Sequence, residues 1–116
     1  MSAETDFRAA LVAHAPLVAL VGTRIAQNAV PDGSAMPCVV YASTRVPDYR
    51  LDNSVGAMNV QFDVQCWGDT GADAAGVADE VQDAILAVGC VCTQRSTTFD
   101  PELGLDGELL TFDWWE

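Results

Sequence analysis

Between residues 60 and 66 the chain alternates, with Val60, Phe62, Val64 and Cys66 on one side and Gln61, Asp63 and Gln65 on the other. A period of two is that of a half-buried strand. After Gly68 the period changes. Plotted at about 100° per residue, Ala74, Val77, Ala78, Val81, Ile85 and Val88 share one stripe, which predicts a helix from about Gly71 to Val88 that ends at Gly89. The joint between the two, Gly68-Asp69-Thr70-Gly71, reads as helix-start chemistry. Thr70 sits at the N-cap with Asp73 three residues on, a capping box with Asp in place of Glu. Asp69 and Asp73 lie where the positive end of the helix dipole favours anions.

The same reading extends along the chain. Residues 3–14 predict a helix, with Phe7, Ala10, Leu11 and His14 at helical spacing and Ser2 or Thr5 as its cap. Pro16 ends it or opens a short helical turn that Gly22 closes. His14 then lies near a helix C-terminus, where the dipole favours it. Residues 28–37 are loop by composition, with Pro31-Asp32-Gly33 as a turn signal. Residues 38–43 read as a strand. Residues 44–58 hold Pro47, Gly56 and little periodicity, and predict a long connection between two antiparallel strands, an extended arm. Residues 90–99 are a third strand, 100–108 a turn and 109–115 a fourth strand. In that last strand Leu110, Phe112 and Trp114 form one face, and Leu109, Thr111, Asp113 and Trp115 the other. The expected fold is a single α+β domain over residues 1–116. It has a four-stranded, mainly antiparallel sheet flanked by two main helices, in the order helix-strand-strand-helix-strand-strand.

Composition narrows the function. Half of the 116 residues are hydrophobic, which excludes a disordered chain. The longest apolar runs are too short to span a bilayer. No positively charged and apolar leader opens the chain, so the expected compartment is the cytoplasm of the producing cell. Seventeen acidic residues face five arginines, with no lysine, for a net charge of −12. That charge excludes binding to the DNA backbone or to anionic membranes. It serves solubility, or it keeps the surface from adhering to a nearby polyanion. Asp73, Asp79, Glu80 and Asp83 gather on the helix side opposite the apolar stripe, with no basic residue among them. They are a solvated face or a face that repels another anion.

Chemistry has little to build on. Cys38, Cys66, Cys90 and Cys92 all fall in expected strands and are read as reduced, buried thiols. Cys90-Val91-Cys92 lacks the spacing of a metal-binding pair, and His14, the sole histidine, has no co-ligand in sequence. Asp79, Glu80 and Asp83 lie side by side on a helix without converging ligands. No nucleophile elbow, phosphate loop or dinucleotide fingerprint occurs. No catalytic residue, metal or cofactor is expected. Trp67 and Trp115 fall on outward strand faces, which marks either a partner surface or a face covered by a helix.

The order and phrasing of the chain are familiar. An N-terminal helix leads to Ala19-Leu-Val-Gly-Thr-Arg-Ile25, and a strand from Cys38 to Tyr41 follows prolines at 31 and 37. Then come the Val60–Thr70 strand with its Gln-Phe-Asp-Val-Gln-Cys-Trp run, an alanine-rich helix and a closing Leu109–Trp115 strand. This resembles the tail completion family of long-tailed bacteriophages and gene-transfer agents, also called tail terminator or tail-to-head joining proteins. The family usually carries more lysine and arginine. The resemblance implies a homo-oligomer, a six-fold ring that caps the tail tube, stops its polymerisation and docks to the head connector. DNA passes through the lumen without specific binding. It implies a virion protein of the tail–head junction, assembled in the host cytoplasm, whose partners are the major tail tube protein and the connector. Arg45, Tyr49, Arg50, Trp67, Trp114 and Trp115 are then the candidate interface residues. Asp73, Asp79, Glu80 and Asp83 are the candidate DNA-repelling face. The alternative is a small acidic ligand-binding or regulatory module with its outward tryptophans lining a pocket.

Overall fold

The computed structural model describes residues 3–22, 24–27, 36–49, 55–90, 92–102 and 104–115, with the side chains at 45–49, 55–59 and 115 outside that description. In chain order the elements are α1 (Ala3–Ala13), α2 (Ala15–Val21), β1 (Ile25–Gln27), β2 (Cys38–Tyr49), β3 (Val55–Gly68), α3 (Gly71–Leu86), β4 (Cys92–Asp100) and β5 (Leu105–Trp115). The strands form one sheet in the order β1-β2-β3-β5-β4. Three pairs are antiparallel and β1 runs parallel to β2.

This corrects the four-stranded, mainly antiparallel expectation: among the described residues the sheet has five strands, is mixed, and carries three helices. The added strand, β1, is three residues long, too short to display a period. It is held by register with β2, Ile25 opposite Val39 and Gln27 opposite Tyr41, and by the Val39 N–H donating to the Arg24 carbonyl at 2.9 Å. The added helix, α2, is the short turn that Pro16 opens. Pro16 stands in its first turn, where a missing N–H costs nothing.

The second correction concerns residues 44–58. Their antiparallel flanks pair as expected, but most of the connection is itself strand. β2 continues to Tyr49 and β3 begins at Val55, with Val46 opposite Asn59 and Pro47 opposite Met58. Residues 50–54 lie outside the described residues. Pro47 is tolerated for a reason the register supplies. Val39 turns its N–H toward β1, so alternate residues out to Pro47 turn theirs away from β3. The donor Pro47 lacks therefore faces the open side of β2, where no ladder bond is lost. β5 pairs β3 only as far as Asn59, so beyond that point β2 and β3 form a two-stranded ribbon among the described residues. A 14-residue strand at about 3.3 Å per residue spans about 46 Å, so β3 accounts for most of the molecule's 50 Å long axis.

The alternation of β3 holds as read. Val60, Phe62, Val64 and Cys66 are buried, and Asp63 and Gln65 are exposed. Each buried residue continues across the sheet, Val64 to Tyr41 and Leu110, Phe62 to Phe112. All three helices contribute to the core on this face: Phe7 and Leu11 from α1, Leu17 and Val21 from α2, and Val77, Val81 and Ile85 from α3. Phe7 stacks on Phe62 at 4.0 Å between ring centres and touches Tyr41, Phe112 and Trp114 at 5.6–6.0 Å. Pairs of this kind add about 0.5–1.5 kcal/mol each beyond area burial.

The joint at residues 68–71 is built as its sequence says. Thr70 is the N-cap of α3, in extended backbone, and its Oγ1 accepts from the Asp73 N–H at 3.1 Å. Gly68 is required by close approach: a Cβ there would lie 2.8 Å from the Asp73 Cβ and 2.9 Å from the Ala74 nitrogen. The strand end is thus pressed against the first turn of the helix it leads into.

Candidate assembly surfaces

The acidic face of α3 is divided by partners from other elements. Glu80 Oε2 lies 2.9 Å from His14 Nε2, the residue that caps the start of α2. Asp79 Oδ1 accepts from Arg95 Nη1 at 2.8 Å. Asp73 and Asp83 are exposed, as is Asp69 beside the cap. The four residues that the sequence groups together are therefore two tied to neighbouring elements, of which Asp79 stays exposed, and two facing solvent alone.

Arg95 is the residue sequence reasoning passed over. Its Nη1 also donates to Gln82 Oε1 at 3.2 Å and its Nη2 to the Ala75 carbonyl at 3.4 Å. Its Nε stands 3.6 Å from Glu108 Oε2. Glu108 is 8% exposed, a buried charge on the helix side of β5. Partial burial works against the charge of Arg95, but the hydrogen bond to Asp79 and the proximity of Glu108 outweigh it, and its pKa is raised. A β-bulge puts the side chain there. Cys92 pairs Phe112, yet Gln94 pairs Thr111 and Arg95 pairs Leu110. The extra residue, Thr93, moves Arg95 from the outward face to the helix face, and its own Oγ1 donates to the Thr111 carbonyl at 3.1 Å. A bulge leaves no mark in the alternation of "CTQRSTTF", so nothing in the sequence assigned Arg95 to this site.

The other face of the sheet carries Trp67. Its indole lies against Gly107, at 2.8 Å from where a Cβ would stand, a position also 2.9 Å from the Thr98 methyl. Its Nε1 donates to Gln65 Oε1 at 3.2 Å. The tryptophan faces outward as expected and is partly exposed. Nearby, Thr111 Oγ1 donates to Asp63 Oδ1 at 3.2 Å. Asp113 Oδ1 is buried without a hydrogen-bond partner among the described residues. Trp114 behaves differently: it packs edge-on against Phe7 and Phe62, each at 6.0 Å, at the margin of the core. Arg45 and Tyr49 lie on β2 with side chains outside the description, as is that of Trp115 at the end of β5. Arg50 lies outside the described residues.

The cysteines are free thiols. Cys38 and Cys66 are buried, and burial pushes both thiols up, Cys66 far up; partial burial also pushes up that of Cys90. Cys90 lies just before β4 and not within it. No group of three or more metal-ligating side chains occurs among the described residues. A groove of about 360 Å³ runs along α1, lined by Glu4, Arg8, Val12, Gln27 and Tyr41 among others. Two of its polar groups are committed to the fold: Arg8 Nη1 donates to the Ile25 carbonyl at 2.6 Å, and Ser43 Oγ donates to Glu4 Oε1 at 2.9 Å.

Comparison with known proteins meets this geometry. The sequence pattern of the family described as Tail completion protein gp17 matches residues 5–116. No curated protein matches the chain. Among solved structures, a chain from the virion of a native gene transfer agent particle shares the fold. Its TM-score is 0.76 at 22% identity, over 92% of this chain and 88% of that one. With the family pattern spanning nearly every residue, the chain belongs to the tail completion protein gp17 family and is a structural protein of a virion tail.

Proposed function

We propose that this chain forms a six-fold ring that caps the tail tube, ends its polymerisation and offers the face to which the head connector docks. DNA passes through the lumen. The family match over residues 5–116 carries this reading. The partners are further copies of the chain, the major tail tube protein and the connector, at the tail–head junction of a virion assembled in the host cytoplasm. The chain works by presenting surfaces and transforms no substrate; it uses no cofactor. A net charge of −12 without a single lysine suits a wall past which a polyanion slides.

The contacts are assigned to Arg45, Tyr49 and Arg50 on the arm and to Trp67, Trp114 and Trp115 on the sheet, residue types enriched at interface hot spots. Trp114 contributes only the part of its ring not packed on Phe7. Asp73 and Asp83 present charge to the lumen, with Asp79 in its ion pair with Arg95 and Glu80 against His14 beside them.

The test is reconstitution. Tube protein polymerised with increasing amounts of this chain gives tubes capped at one end by a ring in electron micrographs, and capped tubes stop growing. Tubes that keep elongating at saturating amounts, with the chain free in solution, refute the reading.

A further inference from the structure

β4 has little to fix its place along β5. It stands at the end of the sheet, and from Gln94 to Thr98 it is polar on both faces, while Phe99 is exposed. Register is weakly specified in such a strand, and a slip by one residue turns every side chain to the other face. A definite alternative exists here. Cys92 pairs Phe112, and the bulge at Thr93 then offsets the partners of all that follow. Carried on from Cys92 without the bulge, the ladder sets Gln94 opposite Leu110, Arg95 opposite Leu109, Ser96 opposite Glu108, Thr97 opposite Gly107 and Thr98 opposite Asp106. Most of these exchanges are between like residues. Thr97 takes the place of Thr98 beside Gly107 and Trp67, and Ser96 takes that of Thr97 opposite Glu108.

One residue tells the two registers apart. Among the described residues 94–99, Arg95 alone has a side chain bonded to another element: to Asp79, Gln82 and the Ala75 carbonyl of α3, with the buried Glu108 of β5 at 3.6 Å. The bonds that cover carbonyls at the bulge, from Thr93 Oγ1 to Thr111 and from Cys92 Sγ to Gln94, hold nothing beyond it. In the shifted register Arg95 points outward and Glu108 keeps its charge without a cation, which disfavours that register. We infer that β4 is a strand of two registers and that Arg95 is the clasp that selects the observed one. Releasing the clasp carries Arg95 and the exposed Phe99 to the face of the sheet that holds Trp67. The second register thus displays, on the same face as that tryptophan, a cation and an aromatic ring that the first withholds, and the two states differ in surface while sharing a core.

Cross-linking reads the register. Phe99→Cys with Asp106→Cys reports the observed one, and Thr98→Cys with Asp106→Cys the shifted one. Residues directly opposite share a face and can be bridged, whereas residues on opposite faces cannot. Cys90 and Cys92 are changed to Ser throughout, diamide is the thiol oxidant, and mass spectrometry locates the link. With Arg95 in place, the full chain is expected to link 99 to 106 and not 98 to 106. Gln94→Arg with Arg95→Gln moves the cation to the position that faces α3 in the shifted register, and the link is expected to move to 98–106. Arg95→Gln alone is expected to give both links. Circular dichroism identifies the chains that keep the fold. A link that stays at 99–106 in the exchanged chain shows that register does not follow the arginine, and overturns the inference. Should the exchanged chain fail to fold, Arg95→Gln decides: links at both sites uphold the inference, and a link at 99–106 only overturns it.

Discussion

Gly107 shows how a residue without a side chain shapes a surface. It lies within β5, where glycine is ordinarily a poor choice, and the Trp67 indole occupies the space above it. Gly107→Ala places a methyl 2.8 Å from two ring carbons and 2.9 Å from the Thr98 methyl. The indole must tilt outward, and overpacking of this kind costs about 1–3 kcal/mol. We expect a red-shifted Trp67 emission, read in a chain with Trp114 and Trp115 changed to Phe, together with a lower midpoint in urea. Unchanged emission would mean that the ring does not rest where the structure puts it. Burial of Cys66 makes a second prediction. Its thiol holds its proton well above the ordinary range in the folded chain, while in the unfolded chain it ionises near about 8.5. The folded state then binds more protons than the unfolded one, so stability falls as pH rises above that value, by up to about 1.4 kcal/mol per unit for this group. Urea titrations between pH 8 and 10 are expected to show this slope, and Cys66→Ala to reduce it.

At the scale of elements, the Arg95 cluster ties β4 and β5 to α3. Arg95→Ala leaves Glu108 buried without its cation, a loss of about 1–3 kcal/mol. Arg95→Met with Glu108→Met removes both charges and recovers most of it. Chemical denaturation of the two variants checks this, and a double variant as unstable as the single one would show that the pair contributes mainly by its shape. This cluster also marks where the sequence stops being readable. β3, the Thr70 cap and the stripe of α3 as far as Ile85 were legible because each is repeated or local: a period over seven residues, a cap and its N–H donor three residues apart; Val88, expected on the same stripe, lies past the helix end and is exposed. Arg95 was not, because one bulged residue, Thr93, reverses the face of everything after it. β1 was not, because three residues owe their strand conformation to β2 alone. The arm was half legible: its extended form and antiparallel flanks were expected, but Pro47 read as a break until the register showed its missing donor facing outward. The aromatic residues divide likewise. Trp67 lies outward as its parity requires, and Trp114, on the face of Leu110 and Phe112, reaches the margin of the core, where its partner Phe7, more than a hundred positions away, could not be read from the strand alone. The family resemblance needed none of these details, since order and spacing carried it.

For the whole molecule the question is where the excess negative charge is useful. Arg95 offsets the charge of the exposed Asp79, and Glu80 is half-buried against His14, while Asp69, Asp73 and Asp83 stand exposed on the same side. If charge served solubility alone, its location would be indifferent, and reversing three residues would still leave a net negative chain. If this face borders the path of DNA, location matters greatly, because cations on a channel wall displace counterions and bind phosphates. Asp69→Lys, Asp73→Lys and Asp83→Lys together lower the net charge only from −12 to −6. In reconstituted particles we expect the triple variant to form rings in normal yield and to slow DNA exit, most at low salt, where screening is weakest. Normal exit at low salt would move the face away from the lumen. A loss of ring yield would instead assign these aspartates to the contact between copies, and the two measurements together separate a wall from a joint.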